Sequence, residues 1–193
     1  MDSPDGSIAK SDSTKNEKGK KLTSDTLQWM NSFKEFRTAI YKNDRKKVKT
    51  FIDFPIHNEN NEIWYLTNDK DENYLKSLTG AVKPYPESEF DKHYDQIFPP
   101  TFIKSILKIK TDSLLINQEY ETIQLQEKRS YYRAIAKFDN ASKTLMVIIN
   151  YVSPIKVNDG EKDIQENSES SVGYEFKIVD NNAIKFIQVR LAG

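Results

Sequence analysis

The sequence predicts an α+β domain in which N-terminal helices pack on a curved antiparallel β-sheet and give it a cone-like body. Three observations carry that expectation. Apolar residues recur at three- and four-residue spacing through roughly the first hundred residues, then switch to a period of two from about residue 120 onward. The order is helices first and a meandering sheet after them, the pattern of helices segregated to one face. Ten Phe, ten Tyr and two Trp in 193 residues make a large aromatic payload for one core.

The elements follow in chain order. Residues 1–24, "MDSPDGSIAKSDSTKNEKGKKLTS", hold almost nothing apolar beyond Ile8 and Leu22. Such a stretch cannot bury enough surface to offset its ordering entropy, so it reads as a disordered tail. Either it is an ordinary frayed terminus or it is the tether of an exported bacterial lipoprotein, with Met1 standing where signal and lipid-bearing cysteine would have been. The folded domain then spans 25–193. "SDTLQWMNSFKEFRTAIYKND" sets Trp29, Phe33, Phe36 and Ile40 on one helical face, with Ser24 or Asp25 as N-cap. Asp44 can cap a second short helix that buries Val48, Phe51 and Ile52 and stops before Pro55. Its cluster Arg45, Lys46, Lys47 and Lys49 reads first as a solvated helix face and only secondarily as an anion patch.

"NEIWYLTN" has the Ile, Trp and Tyr density of a strand. Phe90, Tyr94, Ile97 and Phe98 then define a helix, broken by Pro99 and Pro100 and restarted at Thr101 with Phe102, Ile103, Ile106 and Leu107. Strands are expected at 120–125, 131–138, 144–151, 172–179 and 184–191, with "DNASK" and "DNNA" as hairpin turns. Between two of them, 156–171 carries five acidic residues against two lysines and reads as a long mobile acidic loop.

Composition bounds function. Basic and acidic residues balance at 29 each, so no net field selects nucleic acid or an anionic membrane as partner. The absence of cysteine removes disulfides, thiolate nucleophiles and Cys-based metal sites. No apolar run approaches the roughly 20 residues that span a bilayer. There is no Gly-rich phosphate loop, no GxSxG elbow, no HExxH and no EF-hand spacing, and only six glycines are present. No cofactor and no metal are expected. His57 lies in a solvated loop, and His93 sits between Asp91 and Asp95 in what reads as a charged helix surface.

The opening helix "WMNSFKEFRTAI", the short helix "DRKKVKTFI" and the closing strands "YEFKIVDNNAIKFIQV" together resemble the nuclear transport factor 2-like superfamily, a cystatin-like α+β cone. More narrowly, "FKEFRTAIYKNDRKKVKTFIDFPI" is similar to the start of bacterial exported and lipoprotein domains. The resemblance implies a concave sheet capped by helices, a shape able to enclose an apolar pocket, and a sheet face open to homodimerisation. It also implies where chemistry would sit, because enzymes of that superfamily use buried carboxylates and tyrosines inside the cone. Asp53, Tyr65, Tyr132 and Tyr151 are the positions here that could serve. Fold alone does not choose a reaction.

The leading expectation is a non-enzymatic binding or interaction domain, exported to the periplasm or membrane-tethered as a lipoprotein, with a cytoplasmic location as the alternative. It would bind a small apolar ligand or a protein. The runner-up is a small cofactor-independent isomerase or hydrolase using Asp53 and a strand tyrosine. A third reading, an immunity or inhibitor protein acting through surface charge, draws on the acidic segment at 156–171.

Overall fold

The computed structural model describes residues 24–68, 71–78, 80–158, 163–180 and 182–193. Of the tail or tether expected over 1–24, all but Ser24 lies outside the described residues. Helix α1 (Ser24–Tyr41) already includes Ser24 and Asp25 in its first turn, so neither precedes it as a cap. Trp29, Phe33, Phe36 and Ile40 are all buried, as their spacing requires. Asn43 adopts a left-handed backbone (φ +52°), which Asn tolerates, and reverses the chain. Asp44 then caps α2 (Arg45–Lys49), its Oδ1 accepting the Lys47 N–H at 3.0 Å. The basic residues of α2 face carboxylates: Arg45 stands 3.6 Å from Asp95, Lys47 3.4 Å from Glu35 and Lys49 2.7 Å from Asp91. Lys46 is exposed, and the cluster is an ion-paired, solvated face.

The segment expected to be a strand at 62–67 is a helix, α3 (Glu62–Thr67). Helical geometry puts Ile63, Trp64 and Thr67 on one face, where all three bury, whereas a strand would turn Ile63 and Trp64 to opposite sides. The start is fixed by Asn61 in a left-handed conformation. Its Nδ2 donates to the Ala81 carbonyl (2.7 Å) and its Oδ1 accepts the Lys83 N–H (2.7 Å), tying α3 to the connector after α4 (Glu72–Ser77). A 3₁₀ turn (Glu87–Glu89) leads into α5 (Phe90–Ile97). Pro99 ends that element, and Pro100 opens α6 (Pro100–Lys108) at the position where its missing N–H costs nothing. A further helix, α7 (Thr111–Asn117), follows.

The second half is a six-stranded antiparallel sheet, curved and unclosed. Its strands are β1 (Glu119–Glu121), β2 (Leu125–Glu127), β3 (Ser130–Asp139), β4 (Thr144–Asn158), β5 (Asp163–Val179) and β6 (Ala183–Ala192). The order runs β1-β3-β4-β5-β6, with β2 also paired to β3. The run expected at 120–125 is therefore split. Thr122 is the reason: its Oγ1 accepts the Ala134 N–H at 3.0 Å, so a buried side chain takes over the ladder where β1 leaves it. The turns at Lys143 and Asp180 use left-handed residues (φ +55° and +50°). A bulge between Glu175 and Phe176 lets Phe176 face Phe186 while Glu175 faces Gln188.

One expectation is overturned in β4 and β5. Of 156–171, read from the sequence as a loop, 156–158 and 163–171 are paired strand, with the register unbroken from Thr144↔Lys177 to Asn158↔Asp163, and 159–162 lie outside the described residues. Opposing backbones in a long hairpin supply the hydrogen bonds that the polar side chains do not encourage. Since β3 begins at Ser130, and Tyr131 faces Val152, the last pairs of this hairpin run past the rest of the sheet as a two-stranded arm.

The helices cover one face. Phe36 meets Phe51, Phe98 and Phe176 with ring centroids 5.6, 5.8 and 5.2 Å apart, mostly edge to face. Phe98 adds Phe102 (5.2 Å) and Phe186 (5.7 Å). This aromatic cluster fills the space between helices and sheet.

Candidate functional site

The four residues singled out for chemistry do not converge. Asp53 is exposed, and what it contributes to the sheet is its backbone N–H, donated to the Phe186 carbonyl at 3.0 Å. Its carboxyl lacks the buried surroundings that a general acid in the cone needs, because the buried positions beside it belong to Phe51 and Ile52. Tyr65 lies on the outer side of α3 and is 37% exposed, while Trp64 next to it turns inward.

Tyr132 and Tyr151 do meet, as register partners on β3 and β4 with rings 6.3 Å apart. The Tyr151 hydroxyl hydrogen-bonds Thr101 Oγ1 at 2.9 Å, joining the sheet to the start of α6. Behind them the Tyr174 hydroxyl is wholly buried, with no partner among the described residues, and its ring lies 4.1 Å from that of Phe102. Burial pushes all three phenols above their ordinary range; Glu127 adds to this at Tyr132 and Tyr151. At neutral pH these are protonated hydroxyls, able to donate hydrogen bonds but poor as phenolate bases or nucleophiles.

His57 is exposed. His93, expected at a charged surface, is buried, at 3% exposure. The turn of α5 explains it: Phe90, His93, Tyr94 and Ile97 share the inner face, while Asp91 and Asp95 share the outer one. His93 Nδ1 hydrogen-bonds the Tyr85 hydroxyl at 3.0 Å. Burial, helped by Lys92, lowers the affinity of the ring for a proton, with Glu89 opposing. This pair packs the connector onto α5. Among the described residues no three His, Asp or Glu side chains gather as a metal site.

What the structure does assemble is a cleft of about 540 Å³ at the end of the sheet where the arm departs. Along β3 the inward residues Tyr132, Ala134 and Ala136 alternate with Tyr131, Arg133 and Ile135 on the face that carries no helix. Tyr131 (40% exposed), Arg133, Asn150, Val152, Glu169 and Ser171 line this cleft. The same open face carries Ile135, Met146 and Ile148 between ion pairs, Arg133 with Glu121 and Arg190 with Glu175 (3.6 Å). Sequence reasoning named Tyr132 and Tyr151 but missed Tyr131, Arg133 and Asn150. The alternation in "SYYRAIAKFD" marks Tyr131 and Arg133, because every residue between two inward positions must face the other way, and the register Arg133↔Asn150 adds the third.

No described helix is long and apolar enough to cross a membrane. No protein-family model matches the chain, and no curated protein matches it significantly.

Proposed function

We propose that this chain is a non-enzymatic interaction domain, exported and lipid-tethered, that recognises a protein through the open end of its sheet. The observation that carries the reading is the contrast between the two faces. Aromatic side chains pack closely under the helices, which favours a protein over a small apolar ligand as the partner. The opposite face offers a cleft with an exposed aromatic, a guanidinium, a carboxylate and an amide side by side, the mixture found at protein interfaces. Asp53 and the strand tyrosines lie apart, which weakens the isomerase or hydrolase alternative. Export and tethering rest on the composition of 1–24, and the superfamily resemblance on the order of helices and strands.

The test is photo-crosslinking in the source organism with a reactive residue at Val152, in the cleft, or at Ile116, an exposed position on α7. A protein crosslinked from 152 and not from 116 is the expected result. A small apolar molecule retained by the purified protein in native mass spectrometry, with no crosslink from 152, would overturn the reading.

A further inference from the structure

We infer that the layer between α6 and the sheet holds an internal binding site for one small neutral molecule that carries a hydroxyl, water or a short alcohol, framed by Ser105, Tyr174 and the Thr101–Tyr151 pair. This site is separate from recognition of a protein at the open face and does not depend on it.

The first argument is hydrogen-bond accounting. Among the described residues four buried side-chain polar atoms find no partner, and two of them, Ser105 Oγ and the Tyr174 hydroxyl, stand on α6 and on the sheet it covers. Both residues are wholly buried. A buried hydroxyl left unmet costs more than an ordinary hydrogen bond returns, so such groups in folded proteins are met by the chain, by water or by a ligand.

The second argument is that the fold brings the two groups to one place. Ser105 comes three residues after Phe102 and four after Thr101, so the three share one face of α6. The other two members of that face are tied to the sheet. The Phe102 ring lies 4.1 Å from that of Tyr174 on β5, and Thr101 Oγ1 hydrogen-bonds the Tyr151 hydroxyl of β4 at 2.9 Å. The inner face of β3, against which α6 also packs, carries its shortest side chains at Ala134 and Ala136, both buried. Short side chains on helix and strand suit an internal guest, since a bound water needs little more than its own volume and about two to four polar partners.

The third argument selects the guest. Burial keeps Tyr174 and Tyr151 protonated, so Tyr174 donates and the guest accepts. Ser105 Oγ can do either, and the Thr101–Tyr151 bond uses one of its two hydroxyl hydrogens and leaves the other. A hydroxyl oxygen, which accepts and donates at a single atom, answers all of these groups. No charged side chain frames the site, and Lys104 and Glu127 pair with each other at the surface, 3.7 Å apart. A buried ion would find no counter-charge there, so the guest is neutral.

The test joins stability to magnetic resonance on the full chain. Ser105→Ala and Tyr174→Phe are made singly and together and unfolded in urea. With a shared guest each single substitution is expected to raise the unfolding constant roughly fivefold, and the pair no more than either alone, because the first loss already releases the guest. A Tyr174→Phe protein as stable as the parent, or more so, would overturn the site, since deleting a hydroxyl that meets nothing relieves the fold. Additive losses would overturn it as well, because they mean separate partners. In uniformly isotope-labelled parent protein the Tyr174 hydroxyl proton is expected to show a cross-peak to the water line, or to unlabelled aliphatic protons where the guest is an alcohol. Cross-peaks to labelled protein alone would overturn the site whatever the stabilities.

Discussion

Strand β5 lives in two environments, and the boundary between them falls near Ser171. From 172 to 179 it lies between β4 and β6, and Tyr174, Phe176 and Ile178 point into the aromatic interior. From 163 to 170 the described strand that pairs with it is β4, and the residues from Asn167 to Ser170 are all exposed. The sequence changes with the surroundings, from "VGYEFKIV", alternating and aromatic, to "DIQENSES", polar and acidic. One half of the strand is held by burial, while the other is paired to β4 and exposed from Asn167 to Ser170.

The comparison can be broken most forcefully from the sheltered side. Phe98 touches Phe36, Phe102 and Phe186 and is buried. Phe98→Ala removes this keystone and is expected to cost about 3–5 kcal/mol, measured by urea unfolding. Next comes the sealed edge of β6. Asn58→Ala leaves the Val189 carbonyl without its donor, at a cost of about 1–3 kcal/mol. It also opens that edge, so self-association in analytical ultracentrifugation is expected to rise.

A smaller effect separates buried chemistry from surface chemistry. His93 is favoured neutral in the folded state and has its ordinary affinity when unfolded, so below its unfolded pKa of about 6.5 the unfolded chain binds more protons. Its contribution to stability is fully present above that pH and is lost as pH falls through the depressed folded value. Stability profiles from pH 7 to 5 should show this fall in the parent and a shallower one in His93→Gln. The smallest effect belongs to the exposed part of β5: Glu169→Lys should change unfolding stability by no more than about 0.5 kcal/mol, because that side chain is exposed.

Much of this architecture was legible in the sequence. The α1 face, the Asp44 cap, the break at Pro99–Pro100 and the hairpin turns each follow from a local rule strong enough to survive folding. Three features were not, each for a stated reason. At 62–67 the β-propensity of Ile, Trp and Tyr lost to the anchoring of Asn61 across more than twenty residues of chain, which no local window contains. At 156–158 and 163–171 a polar composition pointed to a loop, but pairing with an opposite strand overrode propensity. At His93 the flanking aspartates drew attention to the surface, although the Phe90–His93–Ile97 spacing already placed the ring inward. The candidate cleft was half legible: alternation locates Tyr131 and Arg133 on the outer face, but only the register with β4 and β5 brings Asn150 and Glu169 beside them.

The most direct test of the two environments of β5 is residue-resolved hydrogen exchange along the strand in the full chain. The amides of 172–179 should exchange slowly, near the limit set by global unfolding, and protection should fall away beyond Ser171, leaving the outward-facing amides of 163–170 fast. Uniform slow exchange along the whole strand would mean that both halves are held alike, and would contradict the division.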